Sequence, residues 1–220
     1  MTDINHSPPD TLLLLAPGCP HCPVVLEGLS GLLKEGVIGR LEAVNIASHP
    51  EVAQQLGVRS VPWTRIGEFV LQGLHSPAEL RQWAQRAGSE SGRAAYYADL
   101  LSQGRLQEVL EAVREEPGRL KALLELAADP DTELTVRIGV SAVVEDLAGS
   151  EALLQHFDTL ADMAHSADPR VRADAAHFLG QTRSRQAEQV LETLTGDPDP
   201  TVRDVAEEAL QDIRTDTGGR

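Results

Sequence analysis

Gly18-Cys19-Pro20-His21-Cys22-Pro23 holds the only two cysteines of the 220-residue chain. The apolar run Thr11-Leu12-Leu13-Leu14-Leu15-Ala16 stands before it, and a segment with helical periodicity follows. The stretch therefore predicts a strand–turn–helix junction with a thiol pair at its tip. Two thiols at this spacing allow a redox pair, half of a metal site or two ordinary cysteines. In a reducing compartment the spacing favours catalysis or metal binding over a structural bridge.

Thiolates attack and thiols do not, so a redox cysteine needs a place where its anion is stabilised. The helix is expected to run from Pro20 to Glu35, with Cys19 at its N-terminal end. Unpaired amide donors and a partial positive charge favour an anion there. Cys22, one turn further in and more buried, is the expected resolving sulfur. Pro20 and His21 tune the pair, because an imidazole near Cys19 stabilises the thiolate and makes the disulfide more oxidising. Zinc usually takes four ligands, and this pair supplies two while the other six histidines are scattered. No metal and no cofactor beyond a redox-active Cys19–Cys22 disulfide is expected; a dimer sharing one metal or iron–sulfur cluster is the alternative.

Working outward, residues 11–87 alternate strand and helix patterns in the order β-α-β-α-β-β-α, which implies an α/β sheet covered by helices. Strands are expected at 11–16, 37–46, 63–66 and 68–72, with a short helix at 49–56 stopped by Gly57. A last helix opens with Ser76 as N-cap, Pro77 at its first position and Glu79 at its third. Residues 1–10 have no basic n-region and read as a disordered leader. Gly88-Ser89-Glu90-Ser91-Gly92 is a small, polar seam and the expected linker.

Beyond the seam strand signals vanish. A helical hairpin is expected from 93 to 116, then three repeats to 215 and a tail at 216–220. The repeats are aligned on the Val-Arg pairs Val136-Arg137, Val171-Arg172 and Val202-Arg203, spaced by 35 and then 31 residues. Counting from each Val, apolar residues recur at offsets 0, 4, 7 and 8, one face of a helix. Asp129-Pro130, Asp168-Pro169 and Asp199-Pro200 precede them, the first with two extra residues in the gap. Partner helices are expected at 118–128, 151–166 and 185–195. Repeated helix pairs of this length indicate a stacked α-solenoid.

Two resemblances follow from these motifs. The second half resembles HEAT-like repeats, especially the short Asp-Pro-x-Val-Arg kind also found in phycobilisome lyases. The resemblance implies that Asp168 with Arg172 and Asp199 with Arg203 link successive repeats, a structural role. The first half is similar to a thioredoxin fold, on its element order, its Cys-x-x-Cys junction and Gly57-Val58-Arg59-Ser60-Val61-Pro62. That similarity implies a cis Pro62 lying against the cysteines, with the Val61 backbone pairing substrate like an added strand. Trp63, beside it, is expected to face substrate, with a place in the core as the alternative. Pro-His is the dipeptide of periplasmic disulfide oxidases, whereas the segment Cys19 to Leu29 is more similar to small glutaredoxin-like or thioredoxin-like reductase domains. Leu13 replaces the buried Asp of thioredoxin, and Pro17-Gly18 replaces its Trp.

Charge narrows the partners. Residues 1–87 carry 8 acidic and 6 basic residues, whereas residues 88–220 carry 26 and 13. So acidic a second half argues against nucleic acid or an anionic membrane as a partner. The expectation is a cytoplasmic thiol–disulfide oxidoreductase acting on protein disulfides or thiols. A reductase or glutathione would supply electrons, and the acidic repeats would recruit a protein partner. The alternative is a non-catalytic interaction scaffold or a redox-sensing regulator.

Overall fold

The computed structural model describes residues 7–217, with side chains to residue 215. Residues 1–6 of the expected leader and 218–220 of the expected tail lie outside the described residues. The chain divides into two compact units, Met1–Arg93 and Ala94–Arg220. No helix among the described residues is long and apolar enough to cross a membrane.

The first unit contains β1 (Asp10–Leu15), α1 (Cys22–Lys34), β2 (Arg40–Asn45), α2 (Pro50–Gln55), β3 (Trp63–Ile66), β4 (Phe69–Gln72) and α3 (Pro77–Arg86). The four strands form one sheet in the order β2-β1-β3-β4. β1 runs parallel to β2 and antiparallel to β3, which pairs antiparallel with β4. The register sets Leu14 between Val44 and Trp63, and Leu13 between Ala43 and Thr64. Alternate residues point to opposite faces, so a strand with Leu13 and Leu14 both 0 % exposed is buried on both sides. That explains why its sequence is a continuous apolar run rather than an alternating one.

Helix α3 starts where its capping residues place it. Ser76 Oγ accepts from the Glu79 amide, and the Glu79 carboxylate accepts from the Ser76 amide at 2.7 Å. Such a box satisfies two otherwise unpaired donors. The helix turns Leu80, Trp83 and Ala84 inward, and it packs on α1, where Gly28 lies against Pro77 and Leu80.

Two expected boundaries are corrected. Asp10 belongs to β1 rather than to a leader, and its neighbour Pro9 is tied down by accepting a hydrogen bond from the Gly39 amide. The expected linker 88–92 is largely helical, since α4 (Glu90–Ser102) begins inside it. Ser89 Oγ accepts from the Gly92 amide at 3.1 Å, so the residue that reads as flexible by composition is a helix cap.

The rest of the second unit is helical: α5 (Leu106–Glu115), α6 (Leu120–Ala128), α7 (Leu134–Asp146), α8 (Glu151–Leu154), α9 (Phe157–Met163), α10 (Pro169–Gln181), α11 (Glu188–Leu194) and α12 (Pro200–Thr217). The helix expected at 151–166 is broken into α8 and α9. The His156 amide bonds back three residues to Leu153, and this tighter turn ends α8 before α9 begins. All twelve apolar residues at offsets 0, 4, 7 and 8 are buried, none more than 6 % exposed. α10 and α12 approach so closely that a Cβ on Gly180 would lie 2.8 Å from the Ala209 Cβ.

Candidate redox site

β1 ends at Leu15, and the chain then turns back on itself, the Cys19 amide donating to the Ala16 carbonyl at 3.3 Å. Gly18 supplies the left-handed conformation of that turn, φ +78°. α1 starts at Cys22 rather than at Pro20, with His21 as the N-cap residue and Pro23 in the first turn. His21 makes no side-chain capping bond, which leaves the first-turn donors to other acceptors. Cys19 takes one of them: the Cys22 amide donates to its sulfur at 3.1 Å. Cys19 thus lies outside the helix, with its sulfur drawn to the helix's positive end.

The two cysteines are joined as a disulfide, with Cα atoms 5.5 Å apart. Cys19 is half-buried, while Cys22 is 4 % exposed. Pro20 and His21 are both exposed. The sulfur open to a partner is therefore that of Cys19, and that of Cys22 is shielded by the helix.

Val61-Pro62 comes back to this point from 42 residues away. The peptide bond is cis, and the Val61 carbonyl oxygen lies 3.8 Å from the Cys19 Sγ. Pro62 is held in turn by its own carbonyl, which accepts from the Gly73 amide at 2.9 Å. Arg59 and Ser60, just ahead of Val61, are exposed, and Leu74, next to Gly73, is 50 % exposed.

Trp63 is corrected from a substrate-facing residue to a core residue. It is 6 % exposed and packs with Leu14 and Ala53, ringed by Val44, Ile46, Val52, Val58 and Val61. The strand period decides this: Trp63 lies opposite Leu14 in register, so both side chains leave the sheet on the face that α2 covers. Among the described residues, no three His, Cys, Asp or Glu side chains converge to hold a metal ion.

The paired charges of the second unit are arranged differently from the expectation. Asp168 and Asp199 cap their own helices, accepting from the amides of Arg170 and Thr201, each at 2.8 Å. Asp168 also pairs with Arg170, whose hydrogen bonds hold its carboxyl down to about 2. Arg172 does reach the next repeat, but its partner there is Asp197, gripped through both carboxylate oxygens at 2.7 and 2.8 Å. Arg137 pairs likewise with Asp174 of α10. Arg172 and Arg203 each donate to the carbonyls five and six residues back, closing the preceding turn. An Asp just ahead of a helix is used up by its own first-turn amides, so the links between repeats fall to Asp174 and Asp197.

Two family models match the chain. Residues 11–85 match the thioredoxin domain, and residues 120–211 match HEAT repeats. No curated protein matches it. With the strand order, the cysteine junction and the three stacked helix pairs in place, the chain joins an N-terminal thioredoxin-like domain to a C-terminal module of HEAT repeats.

Proposed function

We propose that the protein is a thiol–disulfide oxidoreductase that works through Cys19 and Cys22, with the acidic HEAT module recruiting a protein partner. One observation carries the chemistry: the half-buried Cys19 sulfur accepts the Cys22 amide at the start of α1. In the reduced protein the same amide favours the Cys19 thiolate over the thiol. That thiolate attacks one sulfur of a substrate disulfide and releases the other as a thiolate. The Cys22 thiolate then attacks the Cys19 sulfur of the mixed disulfide, freeing the second substrate thiol and closing Cys19–Cys22. Two electrons pass to the substrate, and a dithiol reductase or two molecules of glutathione return them.

The Val61 backbone beside Cys19 supports docking of an extended substrate segment, and Pro62 keeps that strand end in place. His21, exposed between the sulfurs, tunes the potential. No cofactor beyond the disulfide takes part, and the setting is the cytoplasm. The charge of residues 88–220 turns phosphate-rich partners away, so the partner is a protein.

Insulin reduction by the dithiol form tests the activity, and Cys22→Ala should trap a mixed disulfide through Cys19. Failure of Cys19 to form any mixed disulfide would sink the proposal. A second reading, a scaffold or redox-sensing regulator, draws on the repeats, whose buried charges are structural. It prevails if Cys19→Ser, Cys22→Ser protein keeps full cellular activity. The Cys19–Cys22 reduction potential then separates reductase from oxidase, a value at or below the cytosolic poise marking a reductase.

A further inference from the structure

In α7 the offsets that are buried in every repeat do not account for all of its apolar residues. Leu134 is 72 % exposed and Ile138 62 % exposed, two of the most exposed large apolar side chains in the described structure. They stand four residues apart, and Ala142 follows after four more, so the three form a second apolar stripe along one face of α7. The corresponding offsets of the third repeat hold Pro200 and Asp204, and those of the second hold Pro169 and Ala173. The large apolar pair belongs to the first repeat alone. It lines a groove of 480 Å³ between α7, α10 and the start of α12.

The charges in this groove are unbalanced. Its two arginines are committed within the protein. Arg137 donates to the Ala127 and Asp129 carbonyls and pairs with Asp174. Arg170 donates to the Pro130 carbonyl and to both oxygens of Asp168. Against them the groove holds three carboxylates: Asp174 faces Arg137, Asp199 caps α12, and Glu145, 55 % exposed, meets the His177 ring at 3.1 Å, so the lining still carries one more acid than arginine. An acidic ligand would find few free donors and several carboxylates. A second copy of the chain, with a formal charge of −15, would meet like charge across the groove.

We infer that this groove docks a cationic amphipathic helix of a partner protein. Apolar side chains of that helix, spaced three and four residues apart, would cover Leu134 and Ile138, and its Lys or Arg residues would face Glu145 and the neighbouring carboxylates. The inference rests on the recruitment half of the proposed function and names the chemistry of the partner.

The test uses the full chain and fluorescein-labelled synthetic helical peptides, read by anisotropy. One peptide carries Leu on one face and Lys on the other; a second replaces every Lys by Glu; a third scrambles the Leu positions. The first should bind, and the other two should not. Leu134→Ser with Ile138→Ser removes exposed side chains, so the fold stays intact, and should weaken binding by about tenfold or more. Glu145→Gln should weaken it several-fold and reduce its salt dependence, while Glu207→Gln on α12, outside the groove, should leave it unchanged. Absence of binding by the Leu/Lys peptide, equal binding of the scrambled one, or equal loss from Glu145→Gln and Glu207→Gln would overturn the assignment. Insulin reduction is measured on the same wild-type sample. Protein that reduces insulin without binding the peptide overturns the groove alone; protein that binds the peptide without reducing insulin overturns the redox reading alone.

Discussion

The two units of this chain use charge and burial in opposite ways. In the thioredoxin-like unit the proposed chemistry lies in a handful of atoms at one end of β1, and the acidic and basic residues of positions 1–87 nearly balance. In the HEAT unit the arginines at one repeated position are spent on holding helices together. The difference teaches where mutations should act. The first unit can lose its function and keep its fold, whereas the second should lose stability first. Both tryptophans, Trp63 and Trp83, lie in the first unit, so tryptophan fluorescence follows it alone. Far-UV circular dichroism follows mainly the helices of the second.

The largest expected effect is that of Cys19→Ser, which should reduce insulin turnover to background while leaving the fluorescence unfolding midpoint in urea almost unmoved. A large fall in that midpoint would mean that the disulfide is structural and would break the comparison.

Next comes Asp174→Ala, which removes the carboxylate paired with Arg137 and leaves its guanidinium, in a residue only 5 % exposed, to the Ala127 and Asp129 carbonyls. Removing one partner of such a buried pair should cost about 3 kcal/mol. The circular dichroism midpoint should fall and the fluorescence midpoint should not. Replacing both partners, Arg137→Met with Asp174→Leu, should recover most of the loss, because no buried charge is then left alone. If both signals shift together, the units unfold as one and the comparison fails.

Smaller effects sharpen the same contrast. Gly180→Ala gains helix propensity but drives a methyl into Ala209, for a net loss of about 1 kcal/mol seen by circular dichroism. Ser76→Ala removes the capping box of α3 and should cost about 1 kcal/mol seen by fluorescence, since Trp83 is on that helix.

The smallest is a pH effect. The hydrogen bonds of Arg170 hold the Asp168 carboxyl down to about 2, and those of Arg172 lower Asp197. Both carboxyls are depressed by folding, so their contribution is present above the ordinary carboxylate value and is lost as pH falls through the folded one. The helical unit should weaken between pH 3.8 and about 2. Asp174 acts with the opposite sign and in a different window: burial raises its pKa against the pull of Arg137, so its protonation favours the fold as pH falls towards 3.8, before that loss begins. Urea midpoints measured by circular dichroism across that range, compared with Asp197→Asn, check the direction.

Much of the architecture was legible in the sequence because it depends on neighbours along the chain. The start of α3 follows from Ser76, Pro77 and Glu79, which bond to one another. The buried faces of α7, α10 and α12 follow from apolar residues at helical offsets. The cysteine junction follows from an apolar strand running into a glycine turn and a helix start. Each of these is decided within a turn or two of backbone, where spacing and hydrogen bonding are local.

Only the tertiary structure decided the rest. Register across the sheet, and not proximity to Pro62, sent Trp63 into the core. The acids that tie the repeats together are Asp174 and Asp197, 37 and 25 residues from their arginines, and helix stacking alone brings them there. The Asp-Pro aspartates closest in sequence were already taken by their own helix starts. Leu134 and Ile138 lie at the surface because α7 had already buried its other face. Composition and periodicity determine which elements form, while the partner of a charge and the side of a helix left open depend on contacts between distant parts of the chain.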